Sequence, residues 1–363
     1  MIGWAWILPP LLAFLAVAAL VPLARIFALK ADFVDRPGGR KQHEGAVPLV
    51  GGLVIFPVFM VVGFLSGFDL VLYWPLFAAL TLLLITGAID DRAHLTPWVK
   101  FFLQFCAAGL IVIPGHAMIS NLGNIFSLGT LYLGFMALPF SVIAVVLLIN
   151  AINLMDGLDG LAAGENFVAL GWLMLACIIS GNWPPFFEIA ILMGALAGFL
   201  IYNMRHPFRS KASIFLGDAG SMCLGLMLGW FAIGLAAGET DRTVEPIAVA
   251  WVLALPIMDA CGQFYRRVRA GRHPFSPDRG HFHHHFIDAG LSPGKATTLI
   301  LLLSILLGGV GIVGIALGVP QILLTLLWIA LLFTHMALSD KPETYVRLIK
   351  MLLHRRAEDH DTR

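Results

Sequence analysis

Eleven apolar runs follow one another along the chain, and short polar segments separate them. The runs lie at about 3–28, 48–67, 71–89, 97–115, 132–152, 162–181, 186–203, 214–237, 244–264, 297–318 and 320–338. About 20 consecutive apolar residues are enough for one helix to cross a bilayer. The pattern predicts an all-α, polytopic membrane protein with about eleven transmembrane helices, forming one domain over residues 1–340 with a tail at 341–363.

The composition supports this prediction and excludes a soluble globular protein. Of 363 residues, 59% are hydrophobic and 12% are charged, whereas about 25% charged residues are usual in soluble domains. The four cysteines lie in apolar runs and form no CxxC pair, so neither a disulfide framework nor a thiolate metal site is indicated. No basic segment precedes the first apolar run, so we expect no cleavable signal peptide.

The distribution of lysine and arginine predicts the orientation in the membrane. Of 23 such residues, 22 lie in five segments: 25–50, 90–100, 203–213, 265–296 and 339–363. If the eleven runs all cross the membrane, these five segments lie on the same side. The remaining residue, Arg242, falls on the other side. By the positive-inside rule the 22 face the cytoplasm, with the N-terminus periplasmic and the C-terminus cytoplasmic. Cytoplasmic loops are then expected at about 29–47, 90–97, 153–162, 204–214 and 265–296.

Four polar motifs reach this predicted cytoplasmic face. They are Asp90-Asp91, the stretch 150–164, the segment 217–221 and the histidine-rich segment 278–285. A transporter would more often place its polar residues near the bilayer midplane, within paired repeats, and the sequence has no internal repeat of that kind. A membrane scaffold would leave the paired asparagines and aspartates unexplained. The motifs therefore favour an active site at the membrane surface.

The stretch 150–164 carries four polar side chains at a spacing of three: Asn150, Asn153, Asp156 and Asp159. On an ideal helix this spacing drifts by about 60° per step, so all four converge only if the helix unwinds at Gly157 or Gly160. Carboxylate and amide oxygens suit Mg²⁺ or Mn²⁺ better than Zn²⁺. A helix cap followed by a turn is the alternative, but it explains only one of the aspartates.

Four further acidic or basic residues have more than one open interpretation. Asp90-Asp91 either binds a divalent cation, or acts as a base with a tuning neighbour, or simply ends a span in water. Lys100 either neutralises an anionic lipid headgroup or anchors a helix at the interface. Asp218 precedes a predicted helix, where N-cap and metal ligand are compatible roles.

The loop between the ninth and tenth runs is rich in arginine and histidine. Arginine binds phosphate bidentately, and histidine adds donors or a titratable group. A Zn²⁺ site is the rival interpretation of the histidines, but cysteines and an HExxH motif are lacking. A basic loop that only attracts anionic lipid would explain the arginines alone. A divalent-cation site beside a phosphate-binding loop fits phosphoryl transfer between a nucleotide and a lipid.

Taken together, the motifs resemble the polyprenyl-phosphate N-acetylhexosamine-1-phosphate transferase family. The resemblance runs from about residue 30 to 290, in family order, and is carried by Asp35-Arg36-Pro37, Asp90-Asp91, Asn150-xx-Asn153-xx-Asp156-Gly157, Phe215-Leu216-Gly217-Asp218, Pro256-Ile257-Met258-Asp259 and His281-x-His283-His284. Within the family, 274–279 before His281 is similar to the branch that transfers GlcNAc-1-phosphate to undecaprenyl phosphate. The phospho-MurNAc-pentapeptide branch, the main alternative, has Glu where this chain has Ile287.

The resemblance implies roles for thirteen residues. The catalytic group comprises Asp90, Asp91, Asp156 and Asp159; the substrate-binding group comprises Lys100, Asn150, Asn203, Arg279, His281, His283 and His284; the metal ligands are Asn153 and Asp218. Which aspartate plays which role stays open. Asp259 is open between a buried structural hydrogen bond and a site role.

The resemblance also implies the reaction and its setting. Undecaprenyl phosphate attacks the β-phosphorus of UDP-GlcNAc, or of a related UDP-amino sugar, and UMP leaves. Mg²⁺ is the implied cofactor, with Mn²⁺ as the alternative. The expected location is the bacterial inner membrane, at the first membrane step of O-antigen or similar surface polysaccharide synthesis. The expected partners are the two substrates and membrane lipid, without nucleic acid, and a homodimer is left open.

Overall fold

A computed structural model of the chain describes residues 4–36, 45–238, 242–272 and 280–361. The first eight helices are α1 (Trp4–Lys30), α2 (Gly51–Leu65), α3 (Leu70–Ala93), α4 (Pro97–Val112), α5 (Ala137–Met155), α6 (Leu161–Ser180), α7 (Trp183–Asn203) and α8 (Gly217–Ala236). They are followed by α9 (Pro246–Val252), α10 (Ala254–Arg269), α11 (Phe282–Asp288), α12 (Pro293–Ala316), α13 (Gln321–Ser339) and α14 (Pro342–Asp361). One 3₁₀ turn, Gly134–Met136, precedes α5.

The prediction of an all-α, polytopic membrane protein is confirmed. Over the described ranges, 8 helices are long and apolar enough to cross a membrane, and α9 with α10 makes a ninth if this pair, bent by 73°, is one span. The helices α2 and α4 are apolar but shorter. Each of the eleven apolar runs therefore has its helix or bent pair, while the count of eleven complete spans stays a prediction.

Helix α8 is the centre of the bundle. It packs against α2, α3, α5 and α6, and most of its residues are buried. Small residues let the neighbouring backbones approach closely, as is usual between membrane helices. On α3, Gly87 lies so near the backbone of Ala219 that a Cβ would overlap it. This contact brings the end of α3, with Asp90 and Asp91, to the beginning of α8.

A short hairpin covers the same end of α8. Strand β1 (Val34–Asp35) pairs antiparallel with β2 (Val47–Pro48), with Val34 opposite Pro48. The chain then joins α8 through backbone hydrogen bonds: Phe215 N donates to Pro48 O at 2.8 Å, and Gly51 N donates to Phe215 O at 3.0 Å. The first polar loop is thereby tied to the segment that leads into Asp218.

Basic side chains bond to different partners at the two ends of the bundle. We call the end formed by the last residues of α3 and α5 and the first residues of α8 the site end. Lys100 and Arg205 bond to residues at the site end. Arg242, which the lysine and arginine count assigns to the other side, bonds instead to Glu245 at 3.1 Å and Asn121 at 3.2 Å.

Candidate active site

The last turn of α3 supplies two adjacent carboxylates with different partners. Asp90 Oδ1 accepts a hydrogen bond from Leu95 N at 2.7 Å, and its Oδ2 lies 2.8 Å from Lys100 Nζ. Asp91 Oδ1 accepts from the backbone N–H of Asp218 at 2.9 Å. A carboxylate at a helix N-terminus satisfies a free amide and complements the helix dipole. Asp91 therefore fixes the beginning of α8 relative to the end of α3.

Lys100 connects this pair to the carboxylate of Asp218. Its ammonium group bonds to Oδ2 of Asp90 and to Oδ2 of Asp218 at the same time. The Lys100 side chain is only 17% exposed, so its charge is matched largely within the protein. Two carboxylates close together repel each other, and a cation between them removes that cost.

The amide of Asn153 holds the other oxygen of Asp218. Asn153 Nδ2 donates to Asp218 Oδ1 and to Ser221 Oγ, both at 2.8 Å. Asn150 lies one turn deeper in α5 and donates to Gln104 Oε1 at 2.7 Å and to Val146 O at 2.8 Å. Asn153 is therefore part of the carboxylate cluster, whereas Asn150 joins α5 to α4.

Between α5 and α6 the chain leaves the helix, as the spacing of its polar residues predicts. Helix α5 ends at Met155, two residues before Gly157, and Gly160 has a φ of +77°, which glycine adopts without strain. Asp156 as a residue is exposed to solvent, but many protein atoms lie around its carboxyl group and exclude part of the water there. Burial, and then the charges of Asp218, Asp91 and Asp159, raises the pKa of Asp156 to about 8.

The remaining residues of this loop are held by structural contacts. Asp159 Oδ2 accepts from Arg205 Nε at 2.8 Å and from Ala212 N at 3.0 Å. Asn203 Oδ1 accepts from Gly160 N, and its Nδ2 donates to Ile214 O, both at 2.9 Å. In this arrangement Asp159 and Asn203 tie the loop to the segment between α7 and α8.

A histidine arm, residues 281–285 of the chain, approaches the loop from the other side. Asp259 of α10 anchors it, accepting from Phe282 N at 2.9 Å and lying 3.2 Å from His281 Nδ1. The imidazoles of His281 and His283 are parallel, with ring centres 5.8 Å apart. Asp259 thus has the buried structural role that was one of its two predicted options.

His283 lies directly against the loop between α5 and α6. A Cβ on Gly157 would overlap the His283 ring, so glycine leaves the space that this imidazole fills. His283 Nε2 is buried and has no hydrogen-bond partner among the described residues. Burial, and then the neighbouring His284, lowers the pKa of His283 to about 3. The imidazole is therefore neutral, and its Nε2 is packed against Gly157 without a hydrogen-bond partner among the described residues.

The donors in the cluster fit a hard divalent cation. Among the described residues, no three His, Cys, Asp or Glu side chains are placed to hold one metal ion. Mg²⁺ is commonly bound by one or two carboxylates together with substrate phosphates, and not by a cage of protein ligands alone. Asp218 with Asn153 fits that requirement by donor type, because a carboxylate and a side-chain amide lie side by side, although the amide nitrogen of Asn153 and the ammonium group of Lys100 bond to the two Asp218 oxygens in the free site.

The structure brings five of the predicted residues together: Asp90, Asp91, Lys100, Asn153 and Asp218. Asp156 lies within reach of their charges, and His283 borders its loop. Asn150, Asp159 and Asn203 bond to protein groups outside the cluster. His284 packs on His283 with ring centres 4.2 Å apart. Arg279 lies outside the described residues, and all these roles stay predictions.

Sequence reasoning gave no role to three residues that build the site. Ser221 bonds to Asn153, Gln104 bonds to Asn150, and Arg205 bonds to Asp159. Gln104 lies about one turn after Lys100, so a shared helical face was a usable signal. Arg205 belongs to a loop in which nothing marks one arginine above the others.

The chain's similarity to known proteins agrees with this site. Glycosyl transferase family 4 matches residues 73–236, from the first turn of α3 to the end of α8, and these residues include the whole carboxylate cluster. Helices α10 and α11, which anchor and carry the histidine arm, lie beyond the matched residues.

Several curated bacterial proteins are similar over most of their length. The undecaprenyl-phosphate alpha-N-acetylglucosaminyl 1-phosphate transferase of Escherichia coli (strain K12) is 30% identical, over 92% of this chain and 90% of its own. The protein of that name from Salmonella typhimurium is 30% identical over 95% of both chains. That from Haemophilus influenzae is 32% identical over 83% of this chain and 84% of its own. The chain therefore belongs to glycosyl transferase family 4 and is a membrane-bound phosphoglycosyl transferase.

Proposed function

We propose that the chain transfers GlcNAc-1-phosphate from UDP-GlcNAc to undecaprenyl phosphate and releases UMP. One observation carries the proposal: Lys100 lies between the carboxylates of Asp90 and Asp218, and Asn153 and Asp91 hold Asp218 from two further sides. Such a cluster positions phosphates and balances their charge, which is most of what phosphoryl transfer requires. The names of the similar bacterial proteins support the choice of both substrates.

In the proposed reaction the nucleophile is an oxygen of the lipid phosphate. It forms a bond to the β-phosphorus of UDP-GlcNAc, the bond from that phosphorus to the bridging oxygen breaks, and UMP leaves with the bridging oxygen. The lipid phosphate is already an anion near neutral pH, so it needs positioning more than a strong base. Lys100 is the cation that receives it, and Asp90 orients the ammonium group through their 2.8 Å contact.

Asp218 and Asn153 are the proposed Mg²⁺ ligands. When bound, the cation neutralises the diphosphate and polarises the phosphorus that is attacked. Asp91 sets the position of Asp218 by accepting its backbone N–H, and Ser221 sets the orientation of the Asn153 amide. These two residues hold the ligand pair in place before substrate arrives, which lowers the cost of organising the site.

The loop with Asp156 and the histidine arm are proposed to hold the nucleotide sugar. His283 borders this loop at Gly157, and Asp259 fixes the arm from behind through His281 and the Phe282 amide. His284 and Arg279 are the other residues proposed to bind the diphosphate and the sugar. Asp156, whose pKa is about 8 in the free site, changes its charge in the physiological range.

We infer that the site end faces the cytoplasm, where UDP-sugars are made. The proposal rests on 22 of 23 lysines and arginines falling on one predicted side, with Arg242 bonded at the opposite end of the bundle. The inner membrane of a bacterium then supplies undecaprenyl phosphate. The product starts a surface polysaccharide such as an O-antigen.

The test is a defined reaction with purified protein in lipid nanodiscs. UDP-GlcNAc, Mg²⁺ and undecaprenyl phosphate are supplied, UMP is measured, and the lipid product is identified by mass with other UDP-amino sugars in competition. Absence of UMP release from intact, folded protein would overturn the proposal. A product carrying a different sugar would overturn the choice of GlcNAc alone.

Matched variants assign the activity to the cluster. Asp90→Asn and Asp218→Asn are expected to lose at least about a hundredfold in kcat, the usual effect of removing a group that stabilises the transition state. Asp69→Asn is the control, because Asp69 caps the beginning of α3, at the opposite end of that helix from Asp90. Asparagine caps a helix as well as aspartate does. It should keep wild-type activity.

A further inference from the structure

Helix α14 begins where the last spanning helix leaves the membrane. α13 ends at Ser339, and only Asp340 and Lys341 separate it from Pro342. α14 contacts α11, so it lies at the site end of the bundle. α14 is not among the helices that are apolar enough to cross a membrane, so it must run along the surface or away from it.

One flank of α14 is packed against the protein. The ring of Tyr345 lies on the imidazole of His285, with centres 4.9 Å apart, and its hydroxyl is 3.1 Å from His335 Nδ1. Ile349, one turn further, is 7% exposed. Burial lowers the pKa of His285 to about 4, so its neutral ring serves as a surface for Tyr345. α14 therefore covers the back of α11, the helix that carries His283 and His284.

A second apolar flank of α14 has no protein cover in the described chain. Leu348, Met351 and Leu352 are 36%, 50% and 69% exposed. They follow one another at the three- and four-residue spacing that places side chains on one side of a helix. The apolar face of α14 is thus wider than the surface that the protein supplies for it.

The charges on α14 indicate what covers this flank. As a whole α14 has four lysines and arginines and four acidic residues, but the acidic residues lie near its two ends, at 343 and within 358–361. The lysines and arginines all lie between them, at 347, 350, 355 and 356. Arg347 and Lys350 are exposed next to the apolar flank. A helix that combines an apolar side with basic residues, at the level where a spanning helix ends, has the chemistry of a segment lying among anionic headgroups.

We propose that α14 binds the anionic phospholipid surface through Leu348, Met351 and Leu352, and from there holds α11 in place through Tyr345. The apolar side chains enter the headgroup layer, and Arg347 and Lys350 meet lipid phosphates. The position of the histidine arm then depends on two supports: Asp259 at its beginning and the lipid-bound α14 behind it. The effect on α11 rests on the substrate role proposed for His283 and His284, whereas the lipid contact does not.

The lipid contact is tested by thiol labelling of the full chain in nanodiscs. Leu352→Cys is the probe, and Glu343→Cys is its control, because nine residues are about two and a half turns and place the two on opposite sides of α14. The four native cysteines lie in α4, α6, α8 and α10, and the wild-type chain gives their background. A soluble maleimide reports exposure.

We expect Leu352→Cys to react several-fold more slowly in discs with phosphatidylglycerol than in discs of phosphatidylcholine alone, with Glu343→Cys unchanged. Equal rates for Leu352→Cys in both lipids would overturn the proposal. Protection that needs two protein copies per disc, whatever the lipid, would assign this flank to a second copy of the chain and would also overturn it.

The effect on α11 is tested by kinetics in the same discs. Phosphatidylglycerol should raise UMP release several-fold in the wild type but not in the double variant Arg347→Gln with Lys350→Gln. Tyr345→Ala should raise KM for UDP-GlcNAc, and Tyr345→Phe, which keeps the ring on His285, should restore it. Unchanged KM in Tyr345→Ala would reject the coupling. No UMP release in any disc would instead reject the proposed function, and the labelling result would still decide the lipid contact.

Discussion

Lys100 at the beginning of α4 bonds to Asp218 at the beginning of α8, across 118 residues of sequence. Because Asp90 shares the same ammonium group, one cation balances two carboxylates in the free protein. We expect the ammonium group of Lys100 to move towards the lipid phosphate when Asp218 binds a metal ion. The contact thus links the proposed metal ligand to the residue proposed to bind the lipid phosphate.

Replacing Lys100 should therefore impair lipid binding more than nucleotide binding. Lys100→Gln removes the charge proposed to meet the lipid phosphate, and we expect kcat/KM to fall by about two orders of magnitude, as for other lost charge-stabilising groups. The rise in KM should be larger for undecaprenyl phosphate than for UDP-GlcNAc. Lys295→Gln, at an exposed lysine in the first turn of α12, is the control. Equal effects on the two KM values would contradict this role.

Asp159 and Arg205 should behave as one structural unit. Asp159→Asn and Arg205→Met each break the 2.8 Å contact, and we expect each to lower the free energy of unfolding by about 1–3 kcal/mol. In a double-mutant cycle the two losses should not add, which indicates direct coupling. Additive losses would show that the contact between Asp159 and Arg205 does not contribute to the free energy of unfolding.

The cycle is measured by unfolding in detergent. Its control is Asp32→Asn, in the exposed Asp32–Arg36 pair, which should change stability by less than about 0.5 kcal/mol.

The raised pKa of Asp156 predicts a limb in the pH dependence of kcat/KM. Below about pH 8 the free site holds a proton on this carboxyl, because burial and the charges of Asp218 and Asp91 disfavour the anion. If the carboxylate is the active form, kcat/KM rises with pH and levels off above about 8. Added Mg²⁺ neutralises the same neighbours, so it should move the limb to lower pH.

The pH dependence is followed by UMP release at several Mg²⁺ concentrations. Asp156→Asn should remove the limb as well as most of the activity. A limb that persists in Asp156→Asn, with the midpoint of the wild type, would assign the titration to another group.

Gly157→Ala should damage the site without a change of charge. The added methyl group would overlap the ring of His283, so either the loop or the histidine arm must shift. We expect at least a tenfold loss in kcat/KM for UDP-GlcNAc, since misplacing a positioning residue by about 1 Å is enough for such an effect. Gly109→Ala is the matched control, because nothing lies within 4 Å of its new methyl group. Wild-type kinetics in Gly157→Ala would contradict the contact with His283.

The sequence predicted the class of fold well, because a membrane span can be recognised from the composition of one continuous stretch of the chain. Every apolar run has its helix or bent pair, and the break between α5 and α6 occurs beside the glycines that predicted it. The helix ends at Met155, earlier than expected, so Asn153 is its last polar residue to join the cluster.

The contacts of the site were less accessible to sequence reasoning. A spacing of three drifts around a helix, so Asn150 meets Gln104 one turn away, and Asp159, beyond the break, meets Arg205. These partners lie 46 positions away in both cases. The packing of helices around α8 determines which helix ends lie next to each other. This packing cannot be predicted from any single stretch of the sequence. A motif such as Asp218 with Gly217 and Gly220 therefore indicates a helix start, but not that Asp91 would cap it.

The central position of α8 has a consequence for how the chain assembles in the membrane. Its main neighbours, α2, α3, α5 and α6, all precede it in the sequence. A chain is synthesised from its N-terminus, so those four helices are already in the membrane when α8 leaves the ribosome. α8 then enters the space between these helices and is little exposed to lipid, and Asp218 is the last residue of the carboxylate cluster to be synthesised. The carboxylate cluster is complete only after more than half of the chain has been translated, so a truncated product ending before α8 would contain α1 to α7 but would lack Asp218.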